Sequence, residues 1–433
     1  MSPEVKTIIE ENLALIDQED FLKLCDITIK RYDYSKWVEI LKVFREADIE
    51  GDFESIMPYH CNFQRIKKIK CYNVGFGDCF LCKNEVYNSV MLVDCGTHSS
   101  FINSSVTQDI CQEFSQADEK SIMISHLHQD HYNGIADLFI NDPTLKINNL
   151  YLPNYISNGS LEILAEVIFT DKHSALAKAV REILMIPGLF SRHFENGAKI
   201  HFLSENGLIK NKVCRISVLL PRKNLVKQKS ILDNSKIEAF CKEYVKIFRN
   251  TEDAEGRISV SVSLDLDYGE RISQLISDYL ENNEETNLYK DELDNIKNRF
   301  NTRLNSLSLA FDEWYICEAH NVLFLGDAEN KDIEYVCNTH ANNSYKFVKI
   351  SHHGTRNYFY QNLPKATYYA ISNGAAKDSW EISARYDCRY GRSTCFICSN
   401  NQNCELHKNR CSCNSIHHNR AICGFSLYHE VTI

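Results

Sequence analysis

The 433-residue sequence lacks any run approaching eighteen apolar residues, which argues against a membrane-spanning helix. Its opening, MSPEVKTIIEENLALIDQED, is acidic and amphipathic. It lacks the basic start and apolar core of a secretory signal, so the expected compartment is the cytoplasm, with no membrane partner. A basic excess is lacking too, the formal net charge being −10. Proteins that grip long duplexes by neutralising many phosphates usually carry surplus lysine and arginine, so a large electrostatic nucleic-acid surface is disfavoured. Arg65-Ile-Lys-Lys-Ile-Lys70 could form a local basic patch, but its alternation reads first as the solvated face of a strand. No internal repeat or long low-complexity tract is present.

What is there is ordinary in bulk. A hydrophobic fraction of 44% and a charged fraction of 24% suit a soluble globular chain. The length allows one large core with a smaller unit, or two medium domains. Eighteen cysteines is a high count. Without a secretory start, disulfides are not the default explanation. Scattered cysteines such as Cys25, Cys95 and Cys241 read as small buried hydrophobes, whereas the cluster near the C-terminus suggests a metal.

Residues 1–57 read as helical. Val5, Ile8, Ile9, Leu13 and Ile16 recur at helical spacing, as do Trp37, Ile40, Leu41 and Phe44. This region could be an adaptor for a protein partner or a helical extension packed on the remainder. From residue 62 to 433 the texture is mixed. Expected strands are 64–74, 89–94, 121–125, 148–152, 215–220, 306–317, 322–326, 347–351, 367–372 and 425–433. Several are short apolar runs that end at Gly, Asp or His, as strands buried between layers do. Helical stretches such as 161–184 lie between them, giving an α/β fold class. Residues 225–303 are charged and mostly helical, and read as an insertion or lid.

The strongest chemical signal is Ser125-His126-Leu127-His128-Gln129-Asp130-His131, directly after the apolar Ile122-Met123-Ile124. Imidazole and carboxylate together suit Zn²⁺, Mn²⁺ or Fe²⁺. In an extended segment His126 and His128 face the same side and can share one metal. A turn into a following helix would present Asp130 and His131 to a second. Two metals about 3.5–4 Å apart can clamp both sides of a displacement.

This H-x-H-x-D-H string resembles the signature of the metallo-β-lactamase superfamily. Val93-Asp94-Cys95-Gly96, Phe324-Leu325-Gly326-Asp327-Ala328-Glu329 and Ile350-Ser351-His352-His353-Gly354-Thr355 are similar to its other motifs, in order. Asn73-Val74-Gly75-Phe76-Gly77-Asp78, the strand around Asn305–Leu309 and the His352-His353-Gly354 run look like the hydrolase domain of ComEC-type DNA-uptake proteins. The resemblance implies an αββα sandwich and a metal-dependent hydrolase. It gives His126 and His128 to one metal, Asp130 and His131 to the other, and Asp327 to a place between them. His352, nearest its strand, is expected to bind metal. His353 is expected to face the substrate as a hydrogen-bond donor, though the two could exchange roles. Asp94 is expected to orient a ligand imidazole. Asp130, His353 and Asp94 thus form the expected catalytic set. Asp78 and Ser372-Asn373-Gly374 read either as pocket lining or as turn residues. The middle histidine of many superfamily members has no counterpart among His173, His193 and His201, which leaves one or two active-site ions open.

Cys395, Cys398, Cys404, His407 and Cys411 have the economy of a small zinc knuckle, in a loop of about residues 388–423. Cys388, Cys413, His417, His418 and Cys423 are spare ligands. Three functional readings follow. The first is a Zn²⁺- or Mn²⁺-dependent phosphodiesterase or nuclease using a metal-bound hydroxide, with single-stranded or short nucleic acid as substrate. The second is a small-molecule ester, lactone or phosphoester hydrolase of the same fold, since fold does not fix substrate. The third is the effector subunit of a multi-protein assembly, such as an anti-phage defence complex, docked by its N-terminal helices.

Overall fold

Ser89–Cys95 is buried at every position, which a strand achieves only when both faces are covered. Val90 and Leu92 enter one hydrophobic core, while Met91 and Val93 enter another. This alternation organises the described part of the molecule. The computed structural model describes residues 65–99, 102–156, 160–170, 173–222, 234–248, 258–261, 268–281, 290–313, 322–339, 344–373, 395–398, 421–423 and 427–433. These residues fall in one compact unit, Gln64–Glu313 with Cys317–Ile433. The helical region expected over residues 1–57 lies outside them.

One sheet contains β1 (Lys68–Tyr72), β2 (Cys79–Asn84), β3 (Ser89–Cys95), β4 (Glu119–Met123), β5 (Ile147–Pro153), β6 (Phe194–Leu203), β9 (Ile258–Ser261) and β16 (Tyr428–Thr432). Its order is β16-β1-β2-β3-β4-β5-β6-β9, with β3 to β6 parallel and the flanks antiparallel. The other contains β7 (Leu208–Lys210), β8 (Arg215–Leu220), β10 (Ala310–Glu313), β11 (Val322–Phe324), β12 (Ser344–Lys349), β13 (Lys365–Ile371), β14 (Cys395–Cys398) and β15 (Ala421–Cys423). Its order is β15-β14-β13-β12-β11-β10-β8-β7, parallel from β11 to β15. Phe80, Cys82, Met91 and Val93 of the first sheet share a core with Ile216, Val218, Phe311, Phe324 and Phe347 of the second. The sheets therefore pack face to face, and each carries helices on its outer face.

Helices α1 (Ser104–Gln116), α2 (Gln129–Tyr132), α3 (Gly134–Asn141), α4 (Ser160–Thr170) and α5 (Ala175–Leu189) precede the stretch read as an insertion. That stretch supplies α6 (Asn234–Phe248), α7 (Tyr268–Glu281) and α8 (Lys290–Ser306), and β9 as an edge strand. Its Phe240, Tyr244, Phe248, Ile272, Phe300 and Leu304 join the outer core of the first sheet. Arg299 of α8 reaches the buried Glu166 of α4 at 2.8 Å. The segment is thus part of the helical layer rather than a separate lid. Helix α9 (Asn330–Thr339) covers the second sheet through Ile333 and Val336. Among the described residues no helix is long and apolar enough to cross a membrane.

The expected strands leave out β2, β7, β9, β14 and β15 as well as β6, and one expected strand is broken. Residues 306–317 are not one strand. Helix α8 runs to Ser306, the Leu307 N–H donates to the Arg303 carbonyl at 3.0 Å, and β10 begins only at Ala310. β6 is absent from the expected strands because Asn196-Gly197 looks like a turn. Gly197 takes φ +78, and the β5–β6 register shifts where it lies, so the strand continues past an irregularity. Of the expected zinc knuckle, Cys395 and Cys398 lie within β14, while Cys404, His407 and Cys411 lie outside the described residues.

Glu313, on β10, is wholly buried and accepts the Ile66 N–H at 2.6 Å. Burial pushes its carboxyl up to about 8. A carboxyl raised above its unfolded value stabilises the fold fully below the unfolded pKa, and that stability is lost as pH rises toward 8. Glu313→Gln keeps the acceptor and removes the charge. It should exceed wild type at pH 8 by on the order of 3 kcal/mol, with the gap closing toward pH 5, as read from denaturant midpoints.

Candidate metal centre

The chemistry-bearing loops meet at one edge of the sandwich. Asp94 ends β3, His126 follows β4, Asp327 follows β11, and His352 and His353 follow β12. All lie at the carboxyl ends of parallel strands, where open α/β sheets place their ligands. β2 runs antiparallel to β3, so Asp78, just before it, arrives at the same edge.

The first sheet's contribution is drawn tight by backbone contact. The Gly96 N–H donates to the Asp78 carbonyl at 3.0 Å, and the Asp78 N–H to the Asp130 carbonyl at 3.0 Å. A Cβ on Gly96 would lie 2.2 Å from the Asp130 carbonyl carbon. Only glycine lets the end of β3 approach the His-rich turn this closely. Asp94 takes a left-handed φ of +57 and accepts the Ser125 N–H at 2.6 Å and the Ser125 hydroxyl at 2.5 Å. Its Oδ2 stands 2.9 Å from His131 Nδ1, which leaves Nε2 of that ring directed toward Asp327 at 3.4 Å.

The second sheet supplies the opposite wall. The Asp327 N–H donates to Ser308 Oγ at 2.6 Å, and its Oδ1 accepts the His352 N–H at 3.2 Å. Its Oδ2 is 3.4 Å from His131 Nε2, 3.3 Å from His352 Nδ1 and 3.5 Å from His353 Nε2. One carboxylate oxygen thus faces three imidazoles. His353 Nε2 is also 3.2 Å from Asp130 Oδ2.

Three buried or nearly buried sets could hold an ion: Asp130 with His131 and His353, Asp78 with Asp94 and His131, and Asp78 with Asp327 and His353. Of the histidine pair, His353 falls in two of these sets, while His352 keeps its Nδ1 3.3 Å from Asp327 Oδ2. The cause is local backbone. His352 and His353 take φ of +47 and +53, and two consecutive left-handed residues turn the second side chain back into the centre. His352 instead stacks on Tyr358, ring centroids 3.6 Å apart, while its Nδ1 keeps the contact to Asp327. His126 Nε2 and His128 Nδ1 are 2.5 Å apart.

Titration divides the four imidazoles into two pairs. Burial, reinforced by neighbouring imidazoles, pulls His126 well below its ordinary value, and burial also lowers His128, so the neutral, ligand-competent form of each is favoured. Burial opposes charge on His131 and His353 as well, but the Asp327 carboxylate, with Asp94 for the first and Asp78 for the second, raises both. His353 reaches about 9. Protons there balance carboxylates that a cation would otherwise balance, so metal binding should release them. The donor set fits a divalent ion on another ground. His126 Nδ1 and His352 Nε2 are buried with no hydrogen-bond partner among the described residues, and the Nε2 atoms of His131 and His353 face only carboxylates. Buried polar atoms are rarely left so without a function.

Above the centre lies a cleft of about 580 Å³. Leu127, Ile183, Phe300 and Leu304 give it apolar lining, while Phe76, His98 and Tyr358 add aromatic surface. Gln129, Asn305 and Asn357 provide neutral polar groups. The sequence weighed Asp78 only as lining or a turn residue, and passed over Lys349. The signal for Lys349 was a cation directly after the apolar Phe347-Val348 at the end of the strand SYKFVK, whose last three positions are buried.

No protein-family model matches the chain, and no curated protein matches it. Solved structures give shallow likenesses. A protein of unknown function from Enterococcus faecalis V583 aligns over 71% of this chain and 54% of its own, at 9% identity and TM-score 0.28. A long form RNase Z from yeast aligns over 70% of this chain and 34% of its own, at 13% identity and TM-score 0.25. The chain thus spans about half the length of the first and a third of the second. At this depth the reading of the centre stands on its own geometry.

Proposed function

We propose that the chain is a metal-dependent hydrolase of metallo-β-lactamase type that cleaves phosphodiester bonds, as its ComEC-like motifs imply. The observation that carries this reading is the meeting of Asp130 and His131 from one sheet with Asp327 and His353 from the other. His126 and His128 would hold one Zn²⁺ or Mn²⁺ ion, and Asp130, His131 and His353 another, with Asp327 between them. A bound ion would polarise a phosphoryl oxygen and acidify water. Asp94 fixes the His131 ring, so Nε2 rather than Nδ1 faces the centre. The cleft's volume suits a small ligand or the end of a single strand better than a long duplex.

A second reading is a small-molecule ester, lactone or phosphoester hydrolase. The apolar lining by Leu127, Ile183, Phe300 and Leu304 favours it. Hydrolysis of single-stranded DNA, RNA, bis-(p-nitrophenyl) phosphate and a lactone, each with Mn²⁺ and with Zn²⁺, separates the two. Phosphodiester turnover is the expected result. Turnover of the lactone alone would move the assignment to the second reading. No turnover of any substrate would contradict both.

A further inference from the structure

The roles assigned above leave out Lys349, whose side chain is only 2% exposed. It ends β12, three residues before His352, at the floor of the centre. Its ammonium contacts Asp78 Oδ2, donates to the Gly326 carbonyl at 2.8 Å and stands 3.4 Å from Asp327 Oδ1. Two carboxylates, Asp78 and Asp327, thus face this buried ammonium.

The two oxygens of Asp327 are divided between different partners. Oδ1 meets the Lys349 ammonium and the His352 N–H, while Oδ2 faces the imidazoles of His131, His352 and His353. Asp78 is divided in the same way. Its Oδ2 meets Lys349, and its Oδ1 lies 3.4 Å from His353 Nδ1. One ammonium therefore sits behind both carboxylates, on the side away from the imidazole nitrogens that face Asp327 Oδ2.

We propose that Lys349 is a positioning residue of the metal centre. It holds Asp327 with Oδ1 turned back and Oδ2 forward, and through Asp78 it sets the ring of His353. The proposal rests on the metal reading above. A simpler role would be neutralising the buried charge of Asp78, which need not affect metal affinity once that charge is gone.

The test is Mn²⁺ affinity, measured on the full chain by competition with a chromogenic chelator. Mn²⁺ is the probe because thiolates elsewhere in the chain bind it poorly. Lys349→Met should weaken Mn²⁺ binding about 10–100-fold, the range found when groups supporting ligands are removed. Asp78→Asn alone serves as a second reference, because Asp78 itself belongs to two of the possible ion-holding sets. Lys349→Met added to Asp78→Asn removes both opposing charges. It should bind Mn²⁺ more weakly than Asp78→Asn alone, and it decides the matter if the single Lys349 variant does not fold. Wild-type affinity in Lys349→Met, or equal affinity in Asp78→Asn with and without Lys349→Met, overturns the proposal. A wild-type chain that binds no Mn²⁺ overturns the metal reading instead, and the proposal with it.

Discussion

Asp327→Asn should lower metal-dependent hydrolysis about 10³-fold. Asp327 Oδ2 is the oxygen common to His131, His352 and His353, at 3.4, 3.3 and 3.5 Å. Asparagine keeps the volume, and its amide oxygen can still accept from Lys349 and the His352 N–H. Its amino group would then face the imidazoles, a donor where a negative acceptor is required. Metal ions supply several kcal/mol of transition-state charge stabilisation, and each 1.36 kcal/mol is tenfold in rate. The check is kcat/KM on bis-(p-nitrophenyl) phosphate with Mn²⁺, alongside a thermal melt to show that the variant is folded. A folded variant within tenfold of wild type would remove Asp327 from the centre.

Gly96→Ala should damage both stability and rate. The added Cβ would stand 2.2 Å from the Asp130 carbonyl carbon, 2.3 Å from His131 N and 2.5 Å from the Asp130 carbonyl oxygen. All three are backbone atoms, so no rotamer change relieves the contact. Overpacking of this kind costs about 1–3 kcal/mol, and a displacement of about 1 Å at a reacting centre costs about 10²-fold in rate. The denaturant midpoint and the metal-dependent rate measure the two effects. Unchanged values would mean that the loops carrying Asp78, Asp94 and Asp130 are not held in mutual contact.

Most of the central strands were legible because burial between two layers leaves short apolar runs, as in SVMLVDC and INNLYLP. β6 was hidden by Asn196-Gly197, a turn signal that here marks an irregularity within a strand. The stretch 225–303 looked peripheral because its exposed faces are charged. The apolar stripe of α8, with Phe300 and Leu304, is what ties it to the core and the cleft.

The candidate centre was legible where its groups are contiguous, from His126 to His131. It was less so where position depends on backbone hand or on pairing between sheets. Proximity to the strand favoured His352, but two consecutive left-handed residues, which no local spacing announces, bring both rings to Asp327. Asp78 and Lys349 acquire their meaning only from each other, one before β2 and the other ending β12. No local spacing announces such a pair.

The central claim is that these buried aspartates and histidines form a metal site. It is tested most directly by the Mn²⁺ retained by the full chain and by its Asp327→Asn variant after gel filtration. Comparing the two cancels any metal held by the C-terminal cysteines. The account predicts that wild type retains one or two equivalents more than the variant, with both chains folded. Equal content in the two would contradict it.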